Sequence, residues 1–166
     1  MSSTRQNVEW LPKPNNVALI FTDQPPKDSL IGAVFAYIFN EKCELLLVEK
    51  TGKGTFDIPG GGREGHESWQ ETVKREILEE AFVEIENLEI VALQKLTIEV
   101  EGEKPHRYTR PFPVAYEVFV KAKLKGTGPF IKNDETIARN FFSIEQALLQ
   151  EGILFENRAD ILKACM

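Results

Sequence analysis

Glu76, Glu79 and Glu80 stand at i, i+3 and i+4, behind the glycine run Gly60-Gly61-Gly62. On an α-helix these three lie on one face, within an arc of roughly 100°. Like-charged carboxylates one turn apart repel, and each pair destabilises an isolated helix by about 0.2–0.5 kcal/mol. The crowding is costly unless something cationic occupies it. Three hard oxygen donors on one stripe suit Mg²⁺ or Mn²⁺. Glu-rich helices are most often solvated faces. The glycine turn, with Glu67 and Arg75 at fixed spacings ahead of the stripe, argues for a site instead. A divalent ion there would lower the pKa of a bound water and clamp anionic oxygens.

The same residues carry a family resemblance. Gly61, Glu67, Arg75, Glu76, Ile77, Glu79, Glu80 and Val83 resemble, in register, the Nudix hydrolase box, G-x5-E-x7-R-E-U-x-E-E-x-G-U, where U is apolar. Eight of the nine specified positions match, and the box covers 23 of 166 residues. The departure is Phe82, where the family has its last glycine. Weaker resemblance extends to Pro59-Gly60 ahead of the box and from Asn133-Asp134-Glu135 to Phe142-Ser143 behind it.

The resemblance implies roles residue by residue. The Gly61 carbonyl, Glu76, Glu79 and Glu80 would hold the metal, Mg²⁺ or Mn²⁺. Glu67 and Arg75 would pair structurally and fix the loop on the helix. Arg75 lies roughly 100° around the helix from Glu76, so it is expected to point away from the metal stripe. Glu64 is a weaker candidate for a water-mediated role. Many members place a further glutamate just before the last strand, which here implies Glu135, with Asp134 next to it, as ligand or general base. Glu76, Glu79 and Glu135 are thus the candidate catalytic residues. The family's last glycine ends the helix with positive φ. Phenylalanine in that conformation would cost on the order of 1 kcal/mol, so the helix is expected to end differently, with Phe82 packed inward. His66 stands where the family has glycine, with Gly65 one position early.

The elements that must position these residues can be read from pattern. Ile31 to Phe39 and Cys43 to Val48 are β-rich runs around Asn40-Glu41-Lys42 and predict a hairpin, with Cys43 buried in a strand. Thr55 to Ile58 is a short strand ending at Pro59. Glu67 to Ala81 is the box helix, with no interior Gly or Pro. Ile77 and Ala81 flank the carboxylate stripe and Leu78 lies roughly 100° beyond Ile77, so the helix is expected to pack on two sides. Leu88 to Val100 and Val114 to Leu124 read as long strands, and Ile137 to Phe142 as a last one. Ser143 caps a helix, with Gln146 completing a capping box. A final helix is expected from about Asn157 to Lys163. The resulting class is α/β: a mixed β-sheet covered by helices on both faces, the Nudix-type α/β/α sandwich. Residues 1–30 are expected to form an extended arm with one short strand, Val17 to Phe21, and residues 31–166 the Nudix hydrolase domain.

Composition bounds the rest. The chain has net charge −6, with 42% apolar and 28% charged residues. That balance fits a soluble domain and argues against nucleic-acid or membrane-surface partners, which need a basic face. Cys43 and Cys165 make neither a disulfide framework nor a zinc spacing. With no signal-peptide pattern, they are expected to be reduced thiols in a cytoplasmic protein. The longest uncharged apolar stretch, Ile31 to Phe39, is too short to span a bilayer. Monomer and homodimer are both compatible with this sequence.

The segment Lys104 to Arg110 is the one basic and aromatic cluster in an acidic chain. Lys104, Arg107 or Arg110 would contact substrate phosphates, and Tyr108 or Phe141 would stack on a base. A solvated hairpin loop is the plainer reading of that segment. His66 and His106 read as surface histidines, and Trp69 as packing. Nudix ADP-ribose hydrolases often carry a proline downstream of the box and dinucleoside polyphosphate hydrolases a tyrosine; Thr97 to Glu101 holds neither. Leu46 to Lys50 does not resemble the coenzyme A signature. The resemblance therefore implies metal-dependent hydrolysis of a phosphoanhydride bond in a nucleoside diphosphate derivative, with a nucleoside triphosphate as default. A Nudix-fold nucleotide-binding or regulatory module without turnover is the alternative, and an isoprenoid diphosphate isomerase a remote third.

Overall fold

The computed structural model describes residues 3–101 and 103–166. Nine strands are described: β1 (Ser3–Gln6), β2 (Asn15–Phe21), β3 (Ile31–Phe39), β4 (Leu45–Lys50), β5 (Phe56–Asp57), β6 (Gly60–Gly62), β7 (Val83–Ile98), β8 (Val114–Thr127) and β9 (Thr136–Phe142). The helices are α1 (Trp69–Ala81), α2 (Ile144–Ala147), α3 (Glu151–Leu154) and α4 (Arg158–Ala164). The sheet runs β1-β2-β7-β8-β3-β4-β5, with β6 added to β3 and β9 to β4. The β3–β8 pair is parallel and the others are antiparallel, so the sheet is mixed.

Alternation along the central strands builds two cores. Val34, Ala36 and Ile38 of β3, with Val118 and Val120 of β8, face α1 and meet Val73, Ile77 and Ala81. Tyr37 and Phe119 face the other way and meet Ile153, Ile161 and Leu162 of α3 and α4. A strand buried on both faces reads as a continuous apolar run, which is why β3 and β4 were visible in the sequence. The result is the expected α/β/α sandwich.

Several local expectations are corrected. Two strands, not one, form before residue 30: β1 pairs β2, and β2 pairs β7, so the segment extends the sheet. Cys43 is exposed with φ 58°, in the turn before β4 and not inside a strand. The Asn40 side-chain oxygen accepts from the Lys42 and Glu44 amides and folds that turn. Helix α1 packs on one side only, because Leu78 is exposed. Phe82 keeps the left-handed conformation, φ 55° and ψ 40°, that glycine would take. Its ring meets Phe130 edge-on at 5.6 Å, a contact worth about 0.5–1.5 kcal/mol beyond burial, which offsets the backbone strain. Trp69 packs against the α1-side core.

Candidate metal centre and adjoining cavity

Helix α1 is anchored at both ends. Ser68 accepts from the Glu71 amide, and the Glu71 carboxylate accepts from the Ser68 amide, a complete capping box. Such caps are worth on the order of 1 kcal/mol. At the other end, Arg139 donates to the Ala81, Phe82 and Gly128 carbonyls. The last carbonyls of a helix have no partner within it, so this guanidinium substitutes for the missing turn. Asn133 Nδ2 and Thr136 Oγ1 donate to the Glu79 and Glu80 carbonyls. These bonds bring the Asn133–Thr136 segment beside the acidic stripe.

Arg75 lies among the carboxylates, contrary to the expectation that it points away. Its Nε donates to Glu67 Oε1 at 2.6 Å and its Nη2 to Glu67 Oε2 at 3.0 Å and to the Gly62 carbonyl at 2.8 Å. Its Nη1 donates to Glu76 Oε1 at 2.8 Å and to Glu79 Oε2 at 3.2 Å, and lies 3.8 Å from Glu64 Oε1. The backbone does place Arg75 a third of a turn from Glu76; the length of the side chain brings the guanidinium back. The Glu67 pair fixes the loop to the helix, and its bidentate bond to Arg75 holds the Glu67 carboxyl down at about 2.

Glu76 and Glu80 are 8% and 5% exposed. Burial pushes both carboxyls up; Arg75 opposes this at Glu76, and Lys50 with the Gly60 amide at Glu80. Lys50 Nζ lies 3.1 Å from Glu80 Oε1, and the Gly60 amide donates to Glu80 Oε2 at 2.9 Å. Glu135 adds a like charge near Glu80. Gly61 lies directly against Glu76: a Cβ built there would come within 2.4 Å of Glu76 Oε2. The bare glycine therefore lets the loop backbone close on the carboxylate.

The donor set fits a divalent ion of the Mg²⁺ or Mn²⁺ kind. Its donors are hard oxygens, and two carboxylates, Glu76 and Glu79, already converge on one positively charged nitrogen. Among the described residues no three acidic, histidine or cysteine side chains are gathered tightly enough to form a ready-made cage. Arg75 and Lys50 stand between them.

On the sheet face away from α1, a cavity of about 800 Å³ opens beside the glycine turn. Gly60, Gly61, Gly62 and Arg63 line it, as do Lys50 and Lys53. Of the residues expected at a substrate, Arg110 and Lys104 line this cavity. Arg107 is exposed in a turn with φ 70°. Tyr108 packs into a small core with Leu11, Val17 and Leu96. Phe141 packs on the α1-side core. Glu135 and Asp134 are exposed and line a shallow depression with Glu79 and Phe82. His66 and His106 are exposed.

Sequence reasoning missed Lys50, Trp10, Gln94 and Glu117, all on the cavity wall. A signal existed for the last two. Each is a polar residue between two apolar ones on the same face of its strand: Ala92, Gln94, Leu96 and Ala115, Glu117, Phe119.

The NUDIX domain family model matches residues 30–165. A variant of the Bacillus subtilis pyrophosphohydrolase BsRppH superposes with TM-score 0.67 at 20% identity, covering 98% of this chain and 94% of that one. An ADP-ribose pyrophosphatase from Streptococcus suis 89-1591 gives 0.55 at 28% identity, over 80% and 87% of the two chains. The NUDIX domain of Shewanella oneidensis NrtR, complexed with ADP ribose, gives 0.59 at 17% identity, over 81% and 84%. The chain belongs to the NUDIX domain family.

Proposed function

We propose that this protein hydrolyses a phosphoanhydride bond of a nucleoside diphosphate derivative, with a nucleoside triphosphate as the default substrate and Mg²⁺ or Mn²⁺ as cofactor. One observation carries the reading: Glu76 and Glu79 share a single cationic nitrogen, and Glu76 lies against Gly61, which lines a nucleotide-sized cavity. When bound, the divalent ion supplies an acidified water and neutralises phosphate charge. The chain's own residues do the rest. Glu76, Glu79 and Glu80, with the Gly61 carbonyl, would hold the ion. Glu67 and Arg75 keep the loop on the helix. Lys50, Lys53 and Arg63 face the phosphates, and their charge draws a polyanion into an acidic protein. Glu135, next to Asn133 and Thr136, which are bonded to the Glu79 and Glu80 carbonyls, would take a proton from water.

The proposal includes a cytoplasmic location, supported by two free thiols, Cys43 and Cys165. Among the described residues no helix is long and apolar enough to cross a membrane. One contact favours a second reading, a nucleotide-binding module without turnover: Lys50 already neutralises Glu80. Incubation with nucleoside triphosphates, ADP-ribose, dinucleoside polyphosphates and nucleotide sugars separates the two. Release of phosphate or pyrophosphate with Mg²⁺ or Mn²⁺, abolished by EDTA, is expected. Silence across the panel with nucleotide binding intact would overturn the hydrolase reading.

A further inference from the structure

Ala33 sits in a straight row across the sheet. Its Cα partner on one side is Gly62 of β6 and on the other Glu117 of β8; Glu117 in turn pairs with Gln94 of β7. All four line the cavity. At ~4.8 Å per strand the row carries the floor roughly 10 Å from the glycine turn to Glu117. That is the reach from a nucleotide's terminal phosphates to its base. Ala33, between them, adds only a methyl.

The far end of the row is built from buried polar groups. Glu117 is 6% exposed and Gln94 3%. A buried carboxylate costs several kcal/mol unless it is paired and hydrogen-bonded. Glu117 Oε1 lies 2.8 Å from Arg110 Nη2, and Glu117 Oε2 accepts from Gln94 Nε2 at 3.3 Å. An ionised carboxylate offers about four acceptor directions, so each oxygen keeps one. Flat apolar surfaces flank the pair. Phe35 and Phe119 stack at 5.6 Å on the floor. Trp10 is pinned at the wall, donating to Glu156 Oε1 at 2.6 Å with Arg110 5.4 Å over its ring. Trp10 lies outside the residues the family model matches.

We propose that this end of the cavity receives a nucleobase, and that the Glu117 carboxylate, positioned by Arg110 and Gln94, reads the two neighbouring N–H donors of a guanine edge. The proposal rests on the nucleotide reading above and names its base. Guanine presents N1–H and the N2 amino group side by side, and a carboxylate accepts such a pair with two parallel bonds. Adenine and cytosine set one amino donor beside an acceptor nitrogen, and uracil flanks one N–H with two acceptors. Each leaves a Glu117 oxygen facing an acceptor. A site built around buried acceptors rejects a ligand that leaves them unpaired far more strongly than an apolar pocket rejects a misfit. Aromatic walls add stacking that every base shares and so give affinity without choice.

The test is calorimetric binding of guanosine, inosine and adenosine monophosphates to the full chain. None holds an anhydride bond, so none is consumed. GMP is expected to bind at least tenfold more tightly than AMP. IMP, which lacks only the N2 amino group, should fall between them, several-fold weaker than GMP. E117Q, which turns one acceptor into a donor, should bring the GMP-to-AMP ratio close to one. Should E117Q fail to fold for want of its ion pair, the comparison of GMP with IMP decides alone. Equal affinity for all three in the wild type, or no binding of any, overturns the proposal. Guanine-selective binding without hydrolysis of any nucleotide would sustain it and sink the hydrolase reading; hydrolysis with no base preference would do the reverse.

Discussion

Substituting Gly61 by alanine tests whether the Glu76 carboxylate is placed by the glycine turn. An added Cβ would lie 2.4 Å from Glu76 Oε2, 2.6 Å from its Cδ and 2.8 Å from Oε1, where ordinary contact begins at 3.4 Å. The carboxylate must therefore retreat by about 1 Å or rotate away, since β6 is held in the sheet by its pairing with β3. A misplacement of ~1 Å in a reacting constellation costs on the order of 10²-fold in rate. Gly61 has no positive φ, so alanine's backbone is unstrained there. The stability loss should stay at the ~1–3 kcal/mol of an overpacked site, a fall in Tm of roughly 2–12 °C. The expected result is a kcat/KM about 100-fold lower, weaker Mg²⁺ or Mn²⁺ binding and a preserved circular dichroism spectrum. G60A is the control: its Cβ would strike the Val34 carbonyl at 2.3 Å with φ at 145°, so it should disrupt the fold itself. Wild-type turnover and metal affinity in G61A would refute the placement argument.

E79Q should lower kcat by orders of magnitude under saturating metal. Its melting temperature should stay within the shift of ~0.5 kcal/mol usual for surface changes, because that side chain is 52% exposed; normal activity would remove Glu79 from the site. The Glu67 carboxyl falls from its ordinary 4.5 to about 2 in the folded chain. A depressed acid contributes stability that is complete above its unfolded value and lost as pH falls through its folded one. The advantage of the wild type over E67Q should thus be constant above pH ~5 and shrink between about 4.5 and 2, and an advantage that grows with acidification in urea titrations would contradict the Arg75 pairing. F82G relieves roughly 1 kcal/mol of left-handed strain and forfeits the Phe130 contact. Its unfolding free energy should therefore change by less than about 2 kcal/mol, with kcat unaltered, and a larger loss in chemical denaturation would show Phe82 to be a core residue.

How far the sequence carried depended on the range of the interaction. The α1 stripe, its capping residues and the apolar strands β3 and β4 rest on local periodicity, and periodicity is written in adjacent residues. The direction of Arg75 is not legible in the sequence, because helical angle fixes Cα and Cβ, whereas a guanidinium at the end of a long, flexible side chain goes where the carboxylates are. Leu78 is exposed, and a second apolar stripe does not say whether another element will cover it. Phe82 was expected to avoid positive φ on strain alone; the compensating ring, Phe130, lies 48 residues away in sequence and is invisible to a local argument. The cavity wall was the hardest part to read. Trp10, Gln94, Glu117 and Glu156 come from four segments that meet only through the pairing of β2 with β7, β7 with β8 and the docking of the C-terminal segment on them.

On the proposed metal reading, the acidic cluster would let the helix fold before any metal arrives and still attract one. Glu64, Glu67, Glu76 and Glu79 surround one guanidinium, Arg75, while Glu80 is matched by Lys50. Four formal negative charges against one positive leave a surplus of three on a patch a few ångströms wide. The internal cations lower the repulsion enough for α1 to form between its caps. The surplus keeps the site selective for further positive charge of high density. Part of that attraction acts through solvent, where the screening length is about 8 Å at physiological ionic strength and about 3 Å at 1 M salt. Metal affinity should therefore fall as salt rises, and fall less steeply in E79Q, where one charge of the surplus is gone. Binding that ignored salt would mean that the ion is held by short contacts alone and that the surrounding charges are spectators.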